Sequence, residues 1–351
     1  MSPRKILIIQ LKRLGDVLLA TPAVSWLRKR FPEAQIDFAV YSEFAGVLEN
    51  NPHIYRVLSY PRHPLRAYYF LRSLRKERYD WIVDFLANGA SAWMSFLTPA
   101  QNRAAFQRNY PKFIYNIQIP SPQGVFYSPD VKIKLLEAVF GEGLGGVAST
   151  KAKLYVQEAK VSAWRDVLVS AGHLANNKLL FAFAPTSRQQ TRRWPAARYA
   201  GLARRLVDNF EGSRVVCLWG PGERQYVQEV VTSADHKNVL LSPQFKTIHD
   251  LAAFLSHTTC LITNCNGAKH VAVAMNVPTL TVHMSSDPAA WNPPHSPEKF
   301  DSRHPVVRAE GLWCIGCRKN VCPFNLECAN WVSVDQVFAA TSQLLQTIGV
   351  V

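Results

Sequence analysis

The residue types best placed for chemistry are Asn264-Cys265-Asn266-Gly267-Ala268-Lys269-His270, set between the apolar run Leu261-Ile262-Thr263 and the helical pattern Val271-Ala272-Val273-Ala274-Met275. A buried strand that breaks at polar residues and a glycine and then opens a helix aims unpaired N–H groups and a positive dipole end outward. Such a turn is an anion cradle able to hold a nucleotide diphosphate, and Thr279-Leu280-Thr281-Val282 follows to complete a βαβ unit. Alone, the pattern also describes an ordinary βα turn. The N-terminus repeats it: Lys5-Ile6-Leu7-Ile8-Ile9-Gln10 reads as a buried strand and Leu11-Lys12-Arg13-Leu14-Gly15-Asp16 as a polar turn into a helix. A helix begun at Asp16 would carry Pro22 in its second turn and lose the bond to Leu18, so the helix starts near Thr21 or kinks. Irregular backbone after Asp16 suits a carboxylate facing a cleft; capping a helix is its other role.

Two series of alternating strands and helices must position these turns. The first has strand patterns at 5–10, 36–40 and 81–85, with helical patterns running to 31 and over 43–49 and 90–97. The second has strands at 179–184, 215–218, 239–241, 261–263 and 279–282, and helices over 196–210, 224–232 and 248–257, the last opened by the cap-like Thr247-x2-Asp250. This predicts an α/β fold of two doubly wound sheets. A helix around 159–171 and the polar Gly172-His173 to Asn176-Asn177 put the boundary near 172–178. The domains are then 1–175 and 176–332, with 333–351 a last helix. Ligands bind at the carboxyl ends of parallel strands, so two facing sheets would enclose a shared cleft. No G-x-G-x-x-G follows the first strand and no Walker A pattern occurs, which argues against a dinucleotide dehydrogenase and a P-loop NTPase.

A chain of 351 residues with 48% hydrophobic content supports about two cored domains. No apolar run approaches the roughly 18 residues that span a bilayer, and the N-terminus lacks a signal-peptide pattern, which points to the cytosol. The net charge of +15 implies anionic partners. Arg56, Arg62, Arg66, Arg72, Arg75, Lys76 and Arg78 crowd one segment among Tyr55, Tyr60, Tyr68, Tyr69, Phe70 and Tyr79. That interleaving fits a nucleic-acid surface, while Leu65, Tyr69, Leu71 and Leu74 fit the inner stripe of an amphipathic helix with a solvated basic face. Cys314-x2-Cys317-x4-Cys322-x5-Cys328 is a candidate thiolate cluster, but it holds only one C-x2-C pair, so no metal is assigned. Cys217 and Cys260 read as core residues.

Lys12-Arg13-Leu14-Gly15-Asp16, Thr21-Pro22-Ala23, Leu27-Arg28 and Phe31-Pro32 resemble the N-terminal signature of the ADP-heptose:lipopolysaccharide heptosyltransferases, glycosyltransferase family 9. Trp194-Pro195, Gly220 to Glu223, Asn266 to Ala272 and Asp287-Pro288 with Trp291-Asn292-Pro293 follow in that family's order. The resemblance spans nearly the whole chain. It implies the GT-B architecture, two Rossmann-like domains, and inverting transfer of heptose from ADP-heptose to the inner core of lipopolysaccharide. On that resemblance Asp16 is the base that deprotonates the acceptor hydroxyl. Arg192 or Arg193, Thr186, Ser187 and the turn Asn266, Gly267, Ala268, Lys269 and His270 meet the leaving diphosphate without a metal or other cofactor. Glu223 falls at the adenosine portion; a capping role is its alternative. Lys12, Arg13, Arg62 and Arg66 fall to an anionic acceptor at the inner-membrane surface, so the enzyme is expected to be cytoplasmic and peripheral, with no nucleic acid and no obligate protein partner. The last helix is expected to cross back onto the N-terminal domain.

Departures from the family touch the donor. Cys265 stands where many relatives carry aspartate, Met284-Ser285-Ser286 where they carry Gly-Pro-Thr, and Arg192 where a lysine is frequent. Cys265 packs or forms an exposed thiol beside the donor. The other readings are a transferase using another nucleotide sugar, a sugar-nucleotide epimerase, a basic nucleic-acid-binding protein and a metal-dependent regulator.

Overall fold

The computed structural model describes residues 2–141, 150–174, 179–296 and 299–351. The chain divides into two compact units, Met1–Tyr155 and Val156–Val351. Asn176-Asn177, on which the expected boundary rested, lies outside the described residues. The division falls earlier because the helix Glu158–Ser170 belongs with the second unit. Lys160 donates to Asp250 (2.7 Å), and the Trp164 ring meets that of Phe254 at 5.9 Å.

Unit 1 is a six-stranded parallel sheet of β1 (Lys5–Ile9), β2 (Gln35–Tyr41), β3 (Arg56–Tyr60), β4 (Tyr79–Asp84), β5 (Ala100–Phe106) and β6 (Ile117–Ile119), in the order β3-β2-β1-β4-β5-β6. Its helices are α1 (Leu14–Leu18), α2 (Thr21–Arg30), α3 (Pro64–Leu74), α4 (Gly89–Leu97) and α5 (Ser128–Phe140). The central strand β1 is an unbroken apolar run because helices cover both its faces. The edge strands β3 and β6, and β5 beside β6, are mixed and part-exposed, which hid them from a reading by hydrophobic runs.

Unit 2 repeats the plan with β7 (Leu180–Ala184), β8 (Arg214–Cys217), β9 (Val239–Leu241), β10 (Cys260–Asn264) and β11 (Thr279–Val282). Their order is β11-β10-β7-β8-β9, with the short strand Val306–Val307 outside β11. Its helices are α6 (Glu158–Ser170), α7 (Ala196–Asn209), α8 (Arg224–Ala234), α9 (Ile248–Leu255), α10 (Gly267–Ala274), α11 (Pro288–Trp291), α12 (Glu327–Trp331) and α13 (Val334–Thr347). The strand order reverses between β1 and β4 in unit 1 and between β7 and β10 in unit 2, and such switch points open crevices at the strands' carboxyl ends.

Two expectations need correction. Leu65 and Tyr69 do not form the inner stripe of α3: they are exposed, and Phe70, Leu71 and Leu74 pack into the core instead. The last helix, α13, joins the second unit, where Val337, Leu344 and Leu345 lie in one core with Leu202, Leu206 and Leu280. Its apolar stripe recurs at helical spacing and is satisfied by α7 and the sheet edge. Leu344→Ala should therefore cost about 2–5 kcal/mol of unfolding free energy, read as a lower urea midpoint; an unchanged midpoint would remove α13 from that core.

Candidate functional site

Pro22 breaks the helix after β1 in two, as its missing N–H requires. The short α1 ends at Leu18, and α2 starts at Thr21 with the proline in its first turn, where no donor is lost. The Thr21 hydroxyl donates to the Leu18 carbonyl (2.8 Å) and accepts from the Lys153 amide (3.1 Å), fixing the break. Asp16 is thereby held half-buried beside the unit 1 switch point, one of its oxygens accepting from the Arg13 amide at 3.3 Å. Asp16 thus fills the capping role at α1 that the sequence offered as its other reading.

Two buried residues of unit 1 escaped the sequence reading. Lys132 of α5 is buried, its ammonium donating to the Ser128 hydroxyl at 2.8 Å; burial pulls its pKa down to about 8, and the Asp16 charge opposes that fall. Asp84, at the end of β4, is also fully buried, and burial holds its pKa above the usual carboxylate range. It accepts from the Tyr115 hydroxyl (2.6 Å) and the Leu86 and Ala87 amides (2.8 and 2.9 Å), and so shapes the other lip of the same switch point. Each is a polar residue inside an otherwise apolar pattern, which was the available signal. Of the residues expected at the acceptor, Arg13 and Arg66 are exposed and Lys12 is half-buried. Arg62 instead pairs with Glu43 and lies 4.1 Å over the Tyr41 ring.

In unit 2 the turn after β10 is bolted to the turn after β7. Asn264 donates to Pro185 O (2.7 Å) and accepts from the Trp194 amide (3.0 Å). Asn266 donates to Ala184 O and Thr186 O (3.1 and 2.8 Å), while its oxygen caps α10 by accepting from the Lys269 amide (3.1 Å). The Asn266 side chain is therefore spent on shaping the cradle, and the amides at Gly267 and Ala268 belong to the unpaired first turn of α10. Glu223 joins a third turn: one oxygen accepts from the Thr186 hydroxyl (2.8 Å) and from the Gly220 amide (2.9 Å). Thr186, Ser187, Glu223, Asn266, Gly267 and Ala268 thus share the carboxyl edge of β8, β7 and β10.

The neighbouring arginines differ. Arg193 donates to Ser187 O (2.6 Å) and packs 5.3 Å from the Tyr226 ring, so it braces the loop. Arg192 has its Nε buried without a hydrogen-bond partner, as do Arg30 and Arg303, and a buried donor left unpaired is costly. Lys269 is turned inward and fully buried, donating to Trp291 O and His283 Nε2, each at 3.2 Å; burial lowers it to about 8. His283 stays neutral, pushed well down by burial and then by the Lys269 charge. With Nε2 accepting, Nδ1 carries the proton and donates to Ser286 (3.0 Å), tying the Ser285-Ser286 turn to the underside of the cradle. His270 is buried, its ring 6.1 Å from that of Trp291. Cys265 packs, being 6% exposed, which excludes the exposed-thiol reading.

Cys314, Cys317, Cys322 and Cys328 line one cavity of about 230 Å³ with Thr191 and Ser285. Among the described residues no group of three or more His, Cys, Asp or Glu is placed to hold a metal ion. Burial raises the Cys328 pKa, and the other three thiols add to it. No helix among the described residues is long and apolar enough to cross a membrane.

The profile of glycosyltransferase family 9 (heptosyltransferase) matches residues 67–326. The chain is 25% identical over 296 residues to lipopolysaccharide heptosyltransferase 1 of Campylobacter coli, covering 79% of this chain and 83% of that protein. It is similar in structure to a glycosyltransferase family 9 protein of Veillonella parvula DSM 2008, with a TM-score of 0.86, 21% identity and 98% of both chains covered. It also resembles the E. coli heptosyltransferase WaaC with ADP, with a TM-score of 0.72, 17% identity, and 97% of this chain and 99% of that one covered. The fold is GT-B, of two Rossmann-like domains.

The buried lysine of unit 1 has a cost that can be measured. With a folded pKa near 8 and an unfolded one near 10.4, Lys132 makes the unfolded chain hold more protons between those values. Wild-type stability should therefore gain from this group as pH rises from 8 to 10.4. Lys132→Met should raise unfolding free energy at pH 7 by about 1–3 kcal/mol, and the gain should shrink by pH 10, as read in urea titrations at both pH values.

Proposed function

The chain belongs to glycosyltransferase family 9, and from that premise we propose that it moves a heptose, with inversion and without a metal, from ADP-heptose to the inner core of lipopolysaccharide. The acceptor is Kdo-lipid A or a heptosylated core, met at the cytoplasmic face of the inner membrane. The observation that carries the donor half is the unpartnered, buried Nε of Arg192 beside the β7 turn.

In the reaction Asp16 accepts the proton of the acceptor hydroxyl as its oxygen bonds to the anomeric carbon. The bond from that carbon to the phosphate oxygen breaks, and its electron pair leaves with ADP. Charge grows on the leaving phosphate, and fixed donors that need no reorganisation stabilise it best. Arg192 offers such a donor with planar geometry; the amides at Gly267 and Ala268 add the α10 dipole. The Asp16 charge opposes the loss of the Lys132 proton, so a cation stands near the base. Glu223 holds the turns around the adenosine portion, and Lys12, Arg13 and Arg66 attract the anionic acceptor. Arg62 contributes by holding the Glu43 carboxylate away from it.

A second donor sugar is favoured by one observation. Cys265, buried where many relatives carry aspartate, leaves no carboxylate there for heptose hydroxyls. Calorimetric titration with ADP, ADP-heptose and UDP separates the readings. ADP should bind in preference to UDP. Gly267→Pro, which deletes one amide at a position where helices accept proline, and Arg192→Gln should each weaken ADP about tenfold or more. Asp16→Asn should keep ADP affinity and lower turnover by roughly 10²–10⁴. Binding of ADP but not ADP-heptose would move the assignment to another adenine-linked sugar, and no nucleotide binding would end it.

A further inference from the structure

We propose that the outward side of α3 and α4, with the loop carrying Phe113, is the face through which this chain rests on an anionic lipid bilayer. The two helices cover one face of the first sheet. Phe70, Leu71 and Leu74 of α3 and Ala90 and Met94 of α4 pack into a single core cluster with β1 and β4. Crossover helices of this kind ordinarily turn polar residues to water. These turn out large apolar side chains: Leu65, Tyr68 and Tyr69 are 57%, 56% and 61% exposed, and Trp93 and Phe113 are 58% and 59% exposed. Leu65, Tyr68, Tyr69 and Arg72 recur at i, i+3, i+4 and i+7, so they form one stripe. The rings pack in two groups, one on α3 and one on α4 with Phe113. Tyr68 meets Tyr69 at 5.5 Å, Trp93 meets Phe96 at 5.9 Å and Phe96 meets Phe113 at 5.5 Å. The backbone that carries Phe113 is clamped by Arg103, which donates to Ile114 O (2.8 Å) and Phe113 O (3.2 Å).

Charge selects the occupant. The sequence has no Asp or Glu between Glu49 and Glu77, and none between Asp84 and Asp130. The exposed polar side chains beside the rings include Arg72, Arg75, Arg108 and Lys112. Tyrosine and tryptophan with an apolar body and a polar edge, set among cations and free of carboxylates, match the headgroup zone of an anionic membrane. Stacking on single-stranded nucleic acid uses rings set in a basic groove, whereas these rings lie on the outer sides of helices. The inference deepens the proposed function, resting on it for the reason a membrane is visited: the acceptor is lipid-borne.

The test is co-sedimentation of the full chain with vesicles of phosphatidylglycerol and phosphatidylethanolamine, against vesicles of phosphatidylcholine. Binding should require the anionic lipid and fall with salt. It should weaken about tenfold or more in Tyr68→Ser/Tyr69→Ser/Trp93→Ser and, separately, in Arg72→Gln/Arg75→Gln/Lys112→Gln. Circular dichroism and unchanged ADP affinity would show that both variants remain folded. Vesicle binding equal to wild type in both variants, no vesicle binding by the wild type, or binding of single-stranded RNA through these residues in place of vesicles would overturn the proposal. Vesicle binding lost in the variants by a chain that binds no nucleotide would leave the face standing and sink the transferase reading instead.

Discussion

The carboxyl edge of the second sheet depends on two carboxamides. Strands β7 and β10 pair in parallel as far as Ala184 and Thr263, and the strands that follow them lie on opposite sides of the pair, so contacts beyond the ladder must tie the two outgoing turns together. Asn264 and Asn266 supply that link: from β10 they reach Pro185, Ala184, Thr186 and Trp194 around β7. Asn264 is fully buried, where a lost partner costs about 1–3 kcal/mol. Once the turns are bolted, the rest follows outward. Thr186 is placed for Glu223, Glu223 orders the Gly220 turn, and Arg193 secures Ser187 so that Arg192 projects from a braced loop.

Each unit accepts a cost at one buried lysine. Lys132 and Lys269 are both buried and both lowered to about 8 by burial, and a pKa depressed by some two units amounts to roughly 3 kcal/mol against the charged form. Apolar residues of the same length would pack more cheaply. Each lysine touches something an apolar residue could not serve: Lys132 feels the Asp16 charge, and Lys269 fixes the proton of His283, which in turn grips Ser286. The lysine in the cradle therefore acts from below, on the Ser285-Ser286 turn, and does not reach outward as its sequence position suggests.

Much of this was legible in the residues, and the failures have physical reasons. Runs such as Leu261-Ile262-Thr263 marked the central strands because burial on both faces leaves no room for polarity. Pro22 located the start of α2 because a missing N–H admits few solutions. The cradle turn was visible in Asn266-Gly267, yet the division of labour within it was not. Whether a polar side chain at the turn faces the ligand or the neighbouring strand is decided by atoms some eighty positions away, as Asn266 and Thr186 show. Lys132 and Asp84 escaped for the same reason, since each is explained only by Asp16 or Tyr115, distant in sequence. On α3 the reading set Leu65 and Tyr69 inward with Leu71 and Leu74, of which only the last two pack into the core, because large apolar side chains occupy both sides of the helix and hydrophobicity alone does not tell a core stripe from an exposed one.

That ambiguity bears on the charge as well. A net charge of +15 looks like a single property, but the structure divides it by environment. Arg56 is bound to Asp37 and Glu77, and Arg205 to Asp335, so these cations offer little field to a partner. Lys132 and Lys269 are desolvated and act over a few ångströms on one neighbour each. The cations on α3 and beside Phe113 lie in carboxylate-free stretches and keep their full field toward solvent. Composition sums the three kinds and can report only that anions are welcome. What stands between the cations differs with their place: braced turns and a buried, unpartnered Arg192 Nε at the second sheet's edge, exposed aromatic rings on α3 and α4.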